Sequence, residues 1–204
     1  MKRHIAVSAV LQVITAVGTL SAQAPSFGIA VGTSFVGGSD SRVPVQIGEA
    51  TVTGADRRGL HVRGMILWPS SSSLSFRSEI FYNRLTSGRN AIAIVAGQDA
   101  QPALVDRTIG LMNTFVASTS TKAAVAPYFL LSAGIFESRL VTETGPADAL
   151  RTDTRDGLGL GVEIGAGINV RVLRQKFMLE LRYGQALNSI RGIGFMPLTV
   201  GIQF

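Results

Sequence analysis

From Gly157 to Val172 the chain reads GLGLGVEIGAGINVRV and alternates without a break. Leu158, Leu160, Val162, Ile164, Ala166, Ile168, Val170 and Val172 fall on one parity. Gly157, Gly159, Gly161, Glu163, Gly165, Gly167, Asn169 and Arg171 fall on the other. A strand sends successive side chains to opposite faces, so this run predicts one wholly apolar face and one of glycine and charge. Strands of soluble proteins average about five or six residues. A tilted strand needs roughly 9–11 residues to cross a bilayer. The period therefore holds long enough to cross a membrane with its apolar face to lipid.

Seven further segments predict strands. Ser26–Phe35 sets Phe27, Ile29, Val31 and Phe35 against Gly28, Ala30, Gly32 and Ser34. Gly59–Trp68 opposes Leu60, Val62, Ile66 and Trp68 to His61, Arg63 and Met65. Leu74–Leu85 opposes Leu74, Phe76, Ile80 and Tyr82 to Ser75, Arg77, Glu79 and Asn83. Val125–Phe136, Phe177–Gln185 and Ile193–Phe204 alternate in the same way. Arg107–Ser118 has strand composition but no clear facing. The connections alternate in length: long at Val36–Arg58, Thr86–Asp106 and Glu137–Asp156, short at Pro69–Ser73, Thr119–Ala124 and Leu173–Lys176, and medium around Ala186–Gly192. Gly37-Gly38, Pro69-Ser70, Ser87-Gly88 and Gly145-Pro146 mark the breaks. Long loops at one end and short turns at the other is the pattern of transmembrane barrels, whose short turns are periplasmic. Eight strands put both termini at the short-turn end. Phe27, Phe35, Trp68, Tyr82 and Tyr183 near strand ends fit interfacial girdles.

Composition narrows the choice. Hydrophobic residues make up 46% of 204, charged ones 16%, and there are 23 glycines. No stretch beyond residue 24 supplies the roughly 18 consecutive apolar residues of a spanning helix. A closed barrel is then the remaining membrane solution, because a bilayer core cannot satisfy an open sheet edge. Residues 1–24 predict a secretory signal peptide: Lys2 and Arg3, an apolar Ile5–Leu20, and the small residues Ala22-Gln23-Ala24. Its removal would lower the net charge from +6 to +4, since two of the 19 Lys and Arg residues leave with it. The remaining arginines are scattered, which argues against nucleic-acid binding. The cysteine count is zero, so an exported form would be stable without disulfides and would carry no lipoprotein anchor.

Three segments carry a family likeness: Pro127–Phe136 (PYFLLSAGIF), the glycine-alternating run followed by Leu179–Gly184 (LELRYG), and the terminal GIQF ending in Phe204. With them the chain resembles the small outer-membrane β-barrels of the OmpA, OmpX and opacity-protein type, over residues 25–204. The resemblance implies an all-β, eight-stranded, antiparallel up-and-down transmembrane barrel, folded as a monomer in the outer membrane of a diderm bacterium. It implies outer-membrane lipid and lipopolysaccharide as surroundings. It also implies Phe204 as the insertion signal read by the barrel-assembly machinery. No peptidoglycan-binding domain is expected after the barrel.

The inward face is the place to look for chemistry. An eight-stranded barrel is just wide enough for side chains to fill. His61, Arg63, Arg77, Glu79, Glu163, Arg171, Glu180 and Arg182, with Asn169 and Gln203, are expected there as a structural polar network. Acids and arginines on neighbouring strands should pair, because an unpaired buried charge is expensive. A catalytic reading fails. After cleavage His61 is the remaining histidine, it is followed by Arg63 instead of a serine two places on, and nothing orients it as a general base. A metal centre lacks cysteines and paired histidines. Asp148, Asp153 and Asp156 lack the spacing of a calcium loop. The glycines of 157–167 break GxGxxG at Ile164 and lie within a strand, where they make room in a narrow lumen. No cofactor is expected. Recognition would fall to the long loops, where Ala91–Gly97 (AIAIVAG) reads as a hairpin extension or an apolar contact patch. The expected role is structural or adhesive, without enzymatic activity. Two alternatives are a narrow channel through the lumen and an exported soluble barrel holding a small apolar ligand.

Overall fold

Each of the eight predicted segments forms a strand, and together they close on themselves. The computed structural model describes residues 24–36, 41–45, 48–53, 57–69, 73–87, 92–95, 98–100, 103–119, 123–144, 151–173, 175–188 and 192–204. Twelve strands run in chain order: β1 (Ser26–Phe35), β2 (Ser41–Val45), β3 (Gly48–Thr53), β4 (Arg57–Pro69), β5 (Leu74–Ser87), β6 (Ile92–Val95), β7 (Gln98–Ala100), β8 (Ala103–Ser118), β9 (Val125–Thr144), β10 (Arg151–Val172), β11 (Gln175–Asn188) and β12 (Gly192–Gln203). The barrel order is β1-β12-β11-β10-β9-β8-β5-β4, every neighbour antiparallel, with β1 pairing β4 to close it. Each stave pairs with the stave next in the chain, the up-and-down topology. The signal segment lies, apart from Ala24, outside the described residues.

The first stave begins and the last stave ends at the short-turn end. Phe27 and Phe204 exchange both backbone N–H···O bonds, at 3.0 and 2.9 Å. The β10–β11 turn is tighter than expected, since Val172 pairs with Gln175 and two residues remain for the loop. Leu173 takes the left-handed conformation that such a turn demands, with φ 56°. A leucine there has no local polar group to support the turn, so closure of the flanking strands imposes it.

The outer face is apolar on all eight staves. Ile29, Leu60, Ile80, Ile109, Leu131, Ile164, Leu181 and Val200, one from each, are exposed by between 49% and 61% of their surface. A soluble monomer rarely shows an apolar patch beyond a few hundred square ångströms, and this one encircles the molecule. With every strand edge paired, the barrel spans a membrane. The aromatic girdle at the turn end is fuller than predicted. Phe76, Phe115, Phe129 and Phe177 join Phe27, Trp68 and Phe204 there, and Phe76 meets Phe115 edge-on at 5.4 Å.

Two expectations need correction. Glu137–Asp156 is not a loop: β9 and β10 stay paired from Glu137↔Leu158 to Thr144↔Arg151, well past the last β10–β11 pair at Gly159↔Asn188. Eight residues of each strand therefore rise beyond the last β10–β11 pair, roughly 25 Å along the strand, and β8 accompanies β9 up to Ala103↔Glu143. Ser138 and Leu140 stay buried on the inward side while the outward positions carry Glu137, Arg139 and Asp156, so no apolar outer face announces this extension. The long loops of residues 36–58 and 86–106 likewise contribute strands. They form a separate four-stranded sheet, β2-β3-β6-β7, joined where Val52 pairs with Ala93. Ile92–Val95 of the apolar AIAIVAG segment is thus a strand of a sheet built by two loops, and the rest of that segment lies outside the described residues.

The facing of β8 is now clear. Asp106, Thr108, Gly110, Met112, Thr114 and Val116 point inward, and Arg107, Ile109, Leu111, Asn113 and Phe115 point outward. Two inward apolar residues and one outward amide scramble the pattern. Asn113 reaches the lipid face because Ser78, directly opposite on β5, donates to its Oδ1 at 3.2 Å.

Candidate functional site

The lumen is filled in layers. At its middle stand three arginines and three glutamates: Arg63 on β4, Arg77 and Glu79 on β5, Glu163 on β10, and Glu180 and Arg182 on β11. Each is no more than 2% exposed. The strand pairs β4–β5 and β10–β11 lie on opposite sides of the barrel, with two staves between them in either direction. The network is therefore a set of struts across the lumen, and pairing is not confined to neighbouring strands as the sequence had suggested.

Arg182 is the hub. Its Nη1 donates to Glu79 at 2.8 Å and to Glu163 at 3.0 Å, its Nη2 to Glu79 at 3.0 Å, and its Nε to Glu180 at 2.9 Å. Arg63 donates across the lumen to Glu163 at 2.9 Å and along the wall to Glu79. Arg77 crosses to Glu180. Tyr128 donates to Glu180 at 2.6 Å, and Thr114 donates to Glu79 at 2.8 Å while sharing a hydrogen bond with Ser132. Three positive and three negative charges cancel. Desolvating six ions is expensive, and each lone pair and proton placed on a partner offsets part of that cost. The Arg63 guanidinium also lies 5.2 Å over Phe81, and that of Arg77 lies 5.1 Å over Tyr128.

Apolar layers sit on both sides. Toward the loops, Phe81, Leu85, Met112, Phe136 and Phe195 form one cluster. Toward the turns are two more, Ala30–Met65–Leu67–Met178 and Val116–Tyr128–Leu130. The inward glycines make these layers possible. A Cβ on Gly161 would stand 1.7 Å from the Phe136 ring, and one on Gly167 would stand 2.4 Å from the Tyr128 ring. Each aromatic thus lies flat across a neighbouring strand that has no side chain at that point, the close approach for which glycine is needed. Tyr128 falls on the inward parity of its segment, but Met112, Val116, Phe136 and Phe195 were not singled out as lumen residues. Their apolar side chains on the inward parity read as noise in an alternating pattern.

Of the residues expected in the network, Arg63, Arg77, Glu79, Glu163, Glu180 and Arg182 come together. His61 lies beside them, stacked on Phe81 at 5.5 Å with its Nε2 3.3 Å from Arg63. Among the described residues no serine or threonine hydroxyl is hydrogen-bonded to its ring. Arg171 keeps the inward parity but stands exposed beside the turn, away from the struts. Asn169 and Gln203 are buried near that same end. Asp156 is exposed and pairs with Arg139 at 3.5 Å, while Asp148 and the side chain of Asp153 lie outside the described residues. Charged residues inside and an apolar exterior are the reverse of what a barrel for an apolar ligand requires.

No protein-family model matches the chain, and no curated protein matches it. Solved structures of similar fold exist at low identity. Neisserial surface protein A shares 14% identity, covering 89% of this chain and 98% of its own at a TM-score of 0.48. The attachment invasion locus protein Ail of Yersinia pestis, solved in complex with the heparin analogue sucrose octasulfate, shares 13%, covering 89% and 100% at 0.49. The outer membrane protein OprG of Pseudomonas aeruginosa shares 13%, covering 91% and 98% at 0.49. What the chain shares with them is an eight-stranded barrel, and its membrane-spanning character stands on its own apolar outer face and closed register.

Proposed function

We propose that the protein is a non-enzymatic barrel of the bacterial outer membrane, a filled and rigid anchor that holds a binding surface above the bilayer. The observation that carries this reading is the distribution of mass. The lumen is occupied by charge struts between apolar layers. The surplus chain is gathered at one end, as the four-stranded sheet and the β9–β10 ribbon. Binding residues concentrate on loops held by a rigid scaffold. Phe204, 69% exposed on the outer face of the last stave, is the proposed insertion signal for the assembly machinery. Residues 1–24 are the proposed export signal.

Two measurements test the reading. Purified protein reconstituted in a planar bilayer should add no steady single-channel current, because ions would have to cross both apolar layers. A stable conductance would favour the narrow channel instead. Trypsin applied to intact cells should cut the ribbon at Arg151 or Arg155 and leave a membrane-retained barrel fragment. Protection in intact cells together with cleavage after lysis would place that end inside and overturn a surface role.

A further inference from the structure

One row of side chains on the outer wall breaks the rule that charges here are paired. In direct register across four staves stand Arg84 on β5, Arg107 on β8, Arg139 on β9 and Asp156 on β10. All four are exposed and point outward. Like charges placed directly opposite on adjacent strands repel. Arg139 is relieved by Asp156 at 3.5 Å, and the outward Glu137 lies one step below it on the same strand. Arg84 and Arg107 form no ion pair with any described residue. Arg58, outward on β4, stands one step away, opposite Thr86.

The height of this row matters as much as its charge. Directly below it on the same face are Ile80, Tyr82, Ile109 and Leu111, the start of the apolar belt. A group bound between Arg84 and Arg107 would sit at headgroup level, with room for acyl chains to run down the wall beneath. Paired guanidiniums match the geometry of phosphate oxygens, which accept parallel N–H bonds.

We propose that Arg84 and Arg107, flanked by Arg58, bind the phosphate of a lipid headgroup in the leaflet on the loop side. This rests on the membrane reading above. The anion relieves the repulsion between the two arginines, and the lipid chains add contact with the apolar belt. The site thereby fixes the depth of the barrel at one side of its wall.

The test uses full-length protein refolded in maltoside micelles, with folding checked by the faster migration of unheated sample in SDS gels. Native mass spectrometry then reads lipid retention with added phosphatidic acid, with diacylglycerol as the same lipid without phosphate, and with excess inorganic phosphate as competitor. Wild type should retain phosphatidic acid over diacylglycerol by about tenfold or more, a preference expected of charge-assisted contacts. R84Q/R107Q should abolish that preference, whereas R139Q, whose arginine already has an acid partner, should largely keep it. Inorganic phosphate should not displace the lipid. Equal retention of the two lipids, or an unchanged preference in R84Q/R107Q, overturns the site. Displacement by inorganic phosphate overturns the lipid as its source. Failure of wild type to fold into micelles at all sinks the membrane reading and the site together, a result distinct from a folded barrel without preference.

Discussion

Arg182→Met should cost about 3–5 kcal/mol of unfolding free energy, the penalty of leaving a buried charge without its partner. Arg182 touches all three glutamates of the lumen. Without it, Glu79, Glu163 and Glu180 face Arg63 and Arg77 alone, and a net negative charge is trapped between apolar layers. Met keeps an unbranched apolar stem but not the volume of the guanidinium, so a second variant is needed to separate charge from packing. Urea unfolding of refolded protein, followed by the fluorescence of the single tryptophan, Trp68, measures it. The compensated variant E180Q/R182M restores neutrality, with two acids against two arginines, and should lose distinctly less than R182M. If R182M costs under about 1 kcal/mol, the scale of an exposed ion pair, the struts do not hold the barrel together. If the compensated variant is no better, the loss is one of packing and not of charge.

Leu131→Arg should be the most damaging change on the outer wall. Leu131 is 60% exposed and lies halfway along the apolar run of β9, between Val125 and Glu137. Arginine at the midplane of a membrane barrel costs about 2–4 kcal/mol, falling to about 0–1 near the interface. Leu158, 67% exposed, lies opposite Glu137 at the rim of the belt. Leu158→Arg should therefore cost about 1 kcal/mol or less. The contrast between two similarly exposed leucines is the measurement, made by unfolding in lipid bilayers. In a water-soluble barrel both changes would be near neutral, since each would place a charge in solvent. Equal and small effects at both positions would remove the membrane from the account.

Much of the architecture was legible from the alternation. A lipid-facing wall must be apolar, and an eight-stranded lumen must be small or polar. The two solvents therefore write a period of two into every stave. Where that contrast weakens, the reading weakens with it. β8 carries Met112 and Val116 inward and Asn113 outward, so its facing is illegible from sequence; Asn113 is tolerated outside because Ser78 on β5 donates to its amide oxygen. Above the apolar belt the outward face carries charge at Glu137, Arg139 and Asp156, so the β9–β10 extension left no apolar period to read.

The six charged residues of the lumen's middle were named from their parity alone, and so was the purpose of the inward glycines; the buried Arg57 and Asp106 were not named, and Arg171, which was, stands exposed. Which glutamate each arginine would meet was not contained in the sequence. Arg63 lies 100 residues from Glu163, and Arg182 lies 103 from Glu79. Closure of the sheet sets those partners by placing β4–β5 opposite β10–β11, a consequence of strand number and stagger and not of any local propensity. The in-register arginines of the outer wall belong to the same class. Arg84, Arg107 and Arg139 are scattered along the chain, and only the pairing of β5, β8 and β9 sets them side by side. Solvent contrast acts residue by residue and leaves its mark in order along the chain. Partnership across the barrel and along its rim depends on register, which exists only once the strands have closed.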